Sequence, residues 1–136
     1  MPAILTSIIE QICTEIVDGT DVAVAVDGFL DKDPKADPRA FVIVENYSQL
    51  DIEINNTFDI TGSVVIIVEA GKVDPCRELI EAIAPLFMPG PSDELNALGV
   101  LNMQLEGIDL PMPMSDTKQG YQGAVRYNIS IRFTYT

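Results

Sequence analysis

The most regular set of metal-type ligands in this sequence is Asp31-x-Asp33-x-x-x-Asp37, and its spacing does not complete a calcium loop. An EF-hand loop places glycine at its sixth position and a carboxylate at its twelfth. Those positions here hold Ala36 and Val42, so the sequence predicts no metal site. The histidine count is zero, which removes Ser-His-Asp and Cys-His nucleophiles, imidazole bases and histidine-built zinc sites. Two cysteines remain. Cys13 follows Ile9 at helical spacing and reads as a small core residue. Cys76 falls in the first turn of a second helix, where a helix N-terminus can lower a thiol pKa, but no base accompanies it. Gly19, Gly28 and Gly62 are isolated and make no phosphate-cradling loop. The chemistry points to neither an enzyme nor a cofactor site.

The charge is strongly acidic, −13 overall, which disfavours grip on nucleic-acid phosphates. It is also unevenly spread. Residues 1–31 hold six carboxylates and no Lys or Arg, and residues 40–71 hold five, again with no base. After Asp116 the sign reverses, with Lys118, Arg126 and Arg132 and no acid. A basic terminal segment on an acidic chain suits docking against a neighbour's negative surface, and equally a plain solvated face.

The elements that must position these residues can be read from periodicity. Leu5, Ile8, Ile9, Ile12 and Ile16 predict a helix over Ala3 to Val17, stopped by Asp18-Gly19. Val22 to Val26 and Phe41 to Val44 read as short strands, separated by a Pro-interrupted acidic loop. Asn46 to Asn56 is polar and mixed and is expected as a loop or irregular extension. Phe58 to Ala70 is a long strand with Phe58, Ile60, Val64, Ile66, Val68 and Ala70 on one face. Its other face starts polar and turns apolar at Val65 and Ile67, which predicts cover there from a helix of the chain or from a neighbouring subunit. Asp74-Pro75 starts a second helix, with Asp74 expected as the cap. Pro89-Gly90-Pro91 ends it. A helical turn near Asp93 to Leu98 and a strand near Val100 to Leu105 are expected in the Pro-rich remainder.

From Ala124 to Thr136 the alternation has no slip. Val125, Tyr127, Ile129, Ile131, Phe133 and Tyr135 share one face, and Arg126 and Arg132 lie on the other. Thirteen residues at about 3.3 Å each reach roughly 43 Å, against about 37 Å for the diameter of a compact domain of this length. Such a strand crosses its whole domain and suits contact between subunits. The expectation is one α+β domain over 1–136, with a mainly antiparallel sheet and two helices packed on one face. Charge-free stretches of roughly a dozen residues, broken by Pro or Gly, are too short for a membrane span. The N-terminus lacks the basic start of a signal peptide. Synthesis in the cytoplasm follows as an expectation.

The order and lengths of these elements resemble the tail terminator (tail completion) proteins of long-tailed bacteriophages. The resemblance is carried by the helix Ala3 to Val17, the strand Asp21 to Asp27 and Phe41-Val42-Ile43-Val44. It continues through the strand Thr61 to Glu69, the helix Asp74 to Phe87 and the closing strand Tyr127 to Tyr135. It rests on order and length more than on fixed residues. It implies a homohexameric ring that caps the tail tube, ends its polymerisation and meets the head connector, located in the virion tail or neck. It implies no reaction and no cofactor, and DNA that passes through without specific binding. A stopper or head-completion subunit of the neck is the neighbouring alternative, and a cytoplasmic binding module or small enzyme with a pocket under residues 88–123 is the rival class. On the ring reading, Val65, Ile67, Arg126, Arg132, Phe133 and Tyr135 are candidate intersubunit residues. The acidic loops holding Asp31, Asp33 and Asp37, and Asp51 and Glu53, are candidates for the bore or a partner-facing surface.

Overall fold

The computed structural model describes residues 4–29, 36–53, 57–114 and 120–134. Helix α1 (Ile4–Gly19) leads into strands β1 (Val24–Asp27), β2 (Arg39–Glu53) and β3 (Thr57–Ala70). Helix α2 (Val73–Ile83), a 3-10 turn (Ala84–Phe87) and the short helix α3 (Asp93–Ala97) follow, and β4 (Val100–Pro113) and β5 (Tyr121–Thr134) close the described chain. The five strands form one sheet in the order β1-β2-β3-β5-β4. The fold is α+β. β1 runs parallel to β2, and every other pairing is antiparallel.

The helices cover one face of this sheet. Ile8, Ile12 and Ile16 of α1 and Leu79, Ile80 and Ile83 of α2 bury against Val64, Ile66 and Val68 of β3 and Val125, Ile129 and Ile131 of β5. Alternation puts those strand residues on one side because successive side chains of a strand point to opposite faces. Tyr127 is the largest fully buried side chain. Its ring meets Phe87 edge-on at 5.5 Å, and its hydroxyl donates to the carbonyls of Ala84 and, at 3.3 Å, Ile83. Gly123 lets α2 approach, since a Cβ there would lie 2.4 Å from Ile80 Cδ1 and 2.7 Å from the Asp109 carbonyl.

Several expectations are corrected. Of the two alternatives for the polar stretch after Val44, the irregular extension holds and the loop does not: β2 continues to Glu53, with register shifts between Glu45 and Ser48 and between Gln49 and Asp51. Those irregularities absorb the residues that spoil the alternation, while β3 supplies a ladder along the full length. Asp51 and Glu53 therefore sit in a strand, opposite Asp59 and Thr57. β4 likewise runs to Pro113, past Leu105, through three register shifts. Pro111 and Pro113 are tolerated because β4 is an edge strand. α1 reaches Gly19, and β1 starts at Val24. Asp74 does not cap α2. Lys72 is the N-cap residue, with no side-chain cap bond, and Asp74 pairs with Arg77 one turn on. The true side-chain cap belongs to α3, where Ser92 Oγ accepts from the Leu95 amide at 3.2 Å and donates to Glu15 at 2.7 Å.

A candidate interaction face on the open side of the sheet

The face of the sheet away from the helices is built in rows by strand register. Arg39, Glu69, Gln122 and Met112 form one row. Phe41, Ile67, Ala124 and Asp109 form the next, and Ile43, Val65, Arg126 and Gly107 the third. Beyond them the row turns polar, with Glu45, Ser63, Asn128 and Gln104. The centre is thus apolar across β2, β3 and β5, between two polar borders. A groove of about 390 Å³ lies on it toward β4, with Val65, Ile67, Ala124, Leu110 and Met112 in its wall and Arg126 at its rim. Leu110 is 70% and Met112 66% exposed. Among the described residues, no helix lies on this face.

Ion pairs stud the same face. Arg39 donates to Glu69 through Nε (3.1 Å) and Nη2 (2.7 Å), and its Nη1 reaches the Ala36 carbonyl at 3.1 Å. Glu69 is 9% exposed, so this pair is largely desolvated. Arg126 donates to Asp109 through Nε (3.1 Å) and Nη2 (2.9 Å), which holds the guanidinium still more firmly protonated. Arg132 pairs with Asp59 at 2.7 and 2.9 Å, and that bond holds the Asp59 carboxyl below its ordinary range. Both terminal-strand arginines, expected to seek carboxylates of another subunit, are engaged by carboxylates of their own chain. The reason is position. β5 lies inside the sheet between β3 and β4, so each arginine has an acidic strand beside it.

The remaining candidates separate. Val65 is buried and Ile67 half-buried, and with Arg126 they belong to the groove. Phe133 points to the helix side, where it stacks on Phe58 at 5.2 Å, and so is not part of it. Tyr135, Asp31 and Asp33 lie outside the described residues. Asp37 accepts the Gly71 amide on both oxygens, at 3.1 and 3.2 Å, which ties the chain before β2 to the end of β3. Phe41, Ile43, Asp109, Leu110, Met112 and Ala124 are the face residues the sequence reading missed. Leu110 and Met112 had a signal, as apolar residues alternating with Pro111 and Pro113, but the prolines argued against a strand.

The thiols are withdrawn from chemistry. Burial pushes Cys13 up to about 12, with the charges of Asp27 and Glu10 adding to it. Burial also raises Cys76, outweighing a backbone hydrogen bond at Gly123 that acts the other way, and its thiol faces the carbonyls of Val68 at 3.6 Å and Tyr121 at 3.8 Å. A second cleft of about 240 Å³ runs between α2 and the chain before β2, with Asp21, Pro38 and Glu78 in its wall. Among the described residues no three His, Cys, Asp or Glu side chains gather as a metal site, and no helix is long and apolar enough to cross a membrane. No protein-family model matches this sequence, and no curated protein matches it.

Proposed function

We propose that this chain is a structural assembly subunit of the tail-terminator kind, forming a homohexameric ring that caps a phage tail tube and presents a surface to the head connector. The observation that supports this best is the open apolar face. One side of the sheet is sealed by the chain's own helices, while the other carries Phe41, Ile43, Val65, Ile67 and Ala124 in adjacent register positions beside the exposed Leu110 and Met112. Val65 and Ala124 are buried, Phe41, Ile43 and Ile67 half-buried, and the exposed part is Leu110 and Met112; apolar surface rimmed by polar rows marks a contact site. An open, shallow groove with paired arginines and buried thiols suits packing against a protein surface and offers little to a reacting small molecule. The acidic balance fits a ring that DNA passes without being held. In this ring the end of the β2–β3 pair carrying Asp51 and Glu53 is assigned to the bore or to a partner. The test is direct: purified protein is mixed with isolated tail tubes and imaged in negative stain. Rings seated on tube ends, and tubes that stop elongating, are the expected result. Protein that stays monomeric and leaves tube ends bare would overturn it.

A further inference from the structure

We infer that the outer side of β4 is guarded against strand addition, each stretch of it by a different device, so that the sheet ends with this chain's own strands. All of these devices lie in a single chain and act whether or not it joins a ring. The need for them is plain from composition. β4 is an edge strand of 14 residues with no Lys or Arg, and Leu101, Ile108, Leu110 and Met112 are exposed along it. A long apolar edge of this kind is a template for pairing with other chains.

Hydrogen bonds fix which backbone groups face outward. At one end of the pairing Arg132 donates its amide to the Gly99 carbonyl at 2.7 Å, and just past the other end Met114 donates to the Gly120 carbonyl at 3.0 Å. Even-numbered residues of β5 therefore exchange bonds with β4, and the β4 residues opposite the odd ones turn their backbone groups away. Register sets Val100, Met103, Leu105, Ile108 and Pro113 opposite Ile131, Ile129, Tyr127, Val125 and Tyr121. These residues form the outer row.

That row is blocked from end to end. Val100 and Met103 are buried, and the outward carbonyl of Val100 already accepts from Asn96 Nδ2 of α3 at 3.2 Å. Pro113 has no amide to give, and Leu110 and Pro111 stand together opposite Gly123 in a register shift. Leu105 and Ile108 remain. A regular strand presents an outward amide at every second residue, but the shift between Leu105 and Gly107 sets these two a residue too far apart, with the exposed Glu106 in the bulge. Bulges, proline and charge are means by which edges escape pairing. The opposite edge strand, β1, is only four residues long, and β2 beyond it is itself shifted in register.

Amide hydrogen exchange at single-residue resolution on the unaltered chain tests the outer row. The Leu105 and Ile108 amides should exchange within about tenfold of free-peptide rates, and the inward amides of Gln104 and Asp109 about a hundredfold more slowly. Equal protection of all four would show a strand lying on β4 and overturn the inference, while leaving the ring reading standing. The devices are then removed together, by deleting Glu106 and changing Pro111 and Pro113 to Val. At a concentration where the wild-type solution stays clear, that variant should gain about tenfold in scattered light and bind a cross-β dye. A folded variant that scatters no more than wild type would overturn the inference as well. Should the variant fail to fold, the exchange pattern of the unaltered chain decides the matter alone.

Discussion

Replacing Tyr127 with Phe removes one oxygen from the centre of the molecule, and its effect should reverse sign with pH. The hydroxyl is fully buried and donates to the carbonyls of Ala84 and Ile83 at the join of α2 and the 3-10 turn. Losing a buried hydrogen bond costs about 0.5–1.5 kcal/mol, and an orphaned carbonyl raises this toward about 2 kcal/mol. At pH 7, therefore, Tyr127→Phe should be less stable by about 1–2 kcal/mol in urea unfolding. Burial holds the phenol protonated, with its pKa pushed from 10 up to about 12. Below pH 10 both folded and unfolded chains keep the proton, and this group adds no pH dependence. Between 10 and about 12 the unfolded chain gives up its proton first, so the folded state binds more protons and stability falls as pH rises. The full effect of that difference is roughly 2–3 kcal/mol, present in the wild type and absent from Tyr127→Phe. Measured side by side, the two stability curves should converge above pH 10 and cross near pH 11. A gap that stays constant to pH 11.5 would refute the buried, protonated assignment of Tyr127.

Other consequences are equally open to measurement. Arg39→Met should cost about 2–3 kcal/mol by leaving the largely buried Glu69 without its cation, and the double change with Glu69→Met should recover most of it. Gly99→Ala should cost at least about 2 kcal/mol, because Gly99 sits at φ +105° and a Cβ would stand 2.5 Å from the Arg132 carbonyl; an unchanged thermal midpoint would contradict this. Neither thiol of the native protein should react with an aromatic disulfide reagent at pH 8, and both should on unfolding, since burial raises both pKa values. Arg132→Glu should weaken ring assembly more at low salt than at high salt, as expected for an exposed pair; assembly insensitive to both the change and the salt would remove Arg132 from the interface.

The helices and the two long inner strands were legible because their apolar periods are clean. Ile8, Ile12 and Ile16 keep one helical face, and Val125 to Ile131 alternate without a break. What escaped was neighbour identity. Alternation shows that β5 has a buried face, yet nothing in it says that β4 pairs outside β5 and that Asp109 and Asp59 will meet Arg126 and Arg132. Those contacts join residues far apart in sequence and depend on strand order. The extension of β2 was legible only as one of two alternatives, for a related reason. Its residues after Val44 are polar and irregular in phase, and β3 imposes strand on them through bulged pairing. The apolar turn of β3 at Val65 and Ile67 was the clearest hint of the open face, and it pointed to cover that no described helix provides. Leu110 and Met112 complete that face only through a β4–β5 register that shifts between Asp109 and Met112.

The ring claim is tested most directly by absolute mass. Light scattering on the purified chain, alone and with tail tubes added, should find a species six times the 14.8 kDa chain mass, in solution or formed on tube ends, with a ring of six in averaged images. A strict 14.8 kDa monomer under both conditions, or a closed dimer that leaves the tubes untouched, would contradict it.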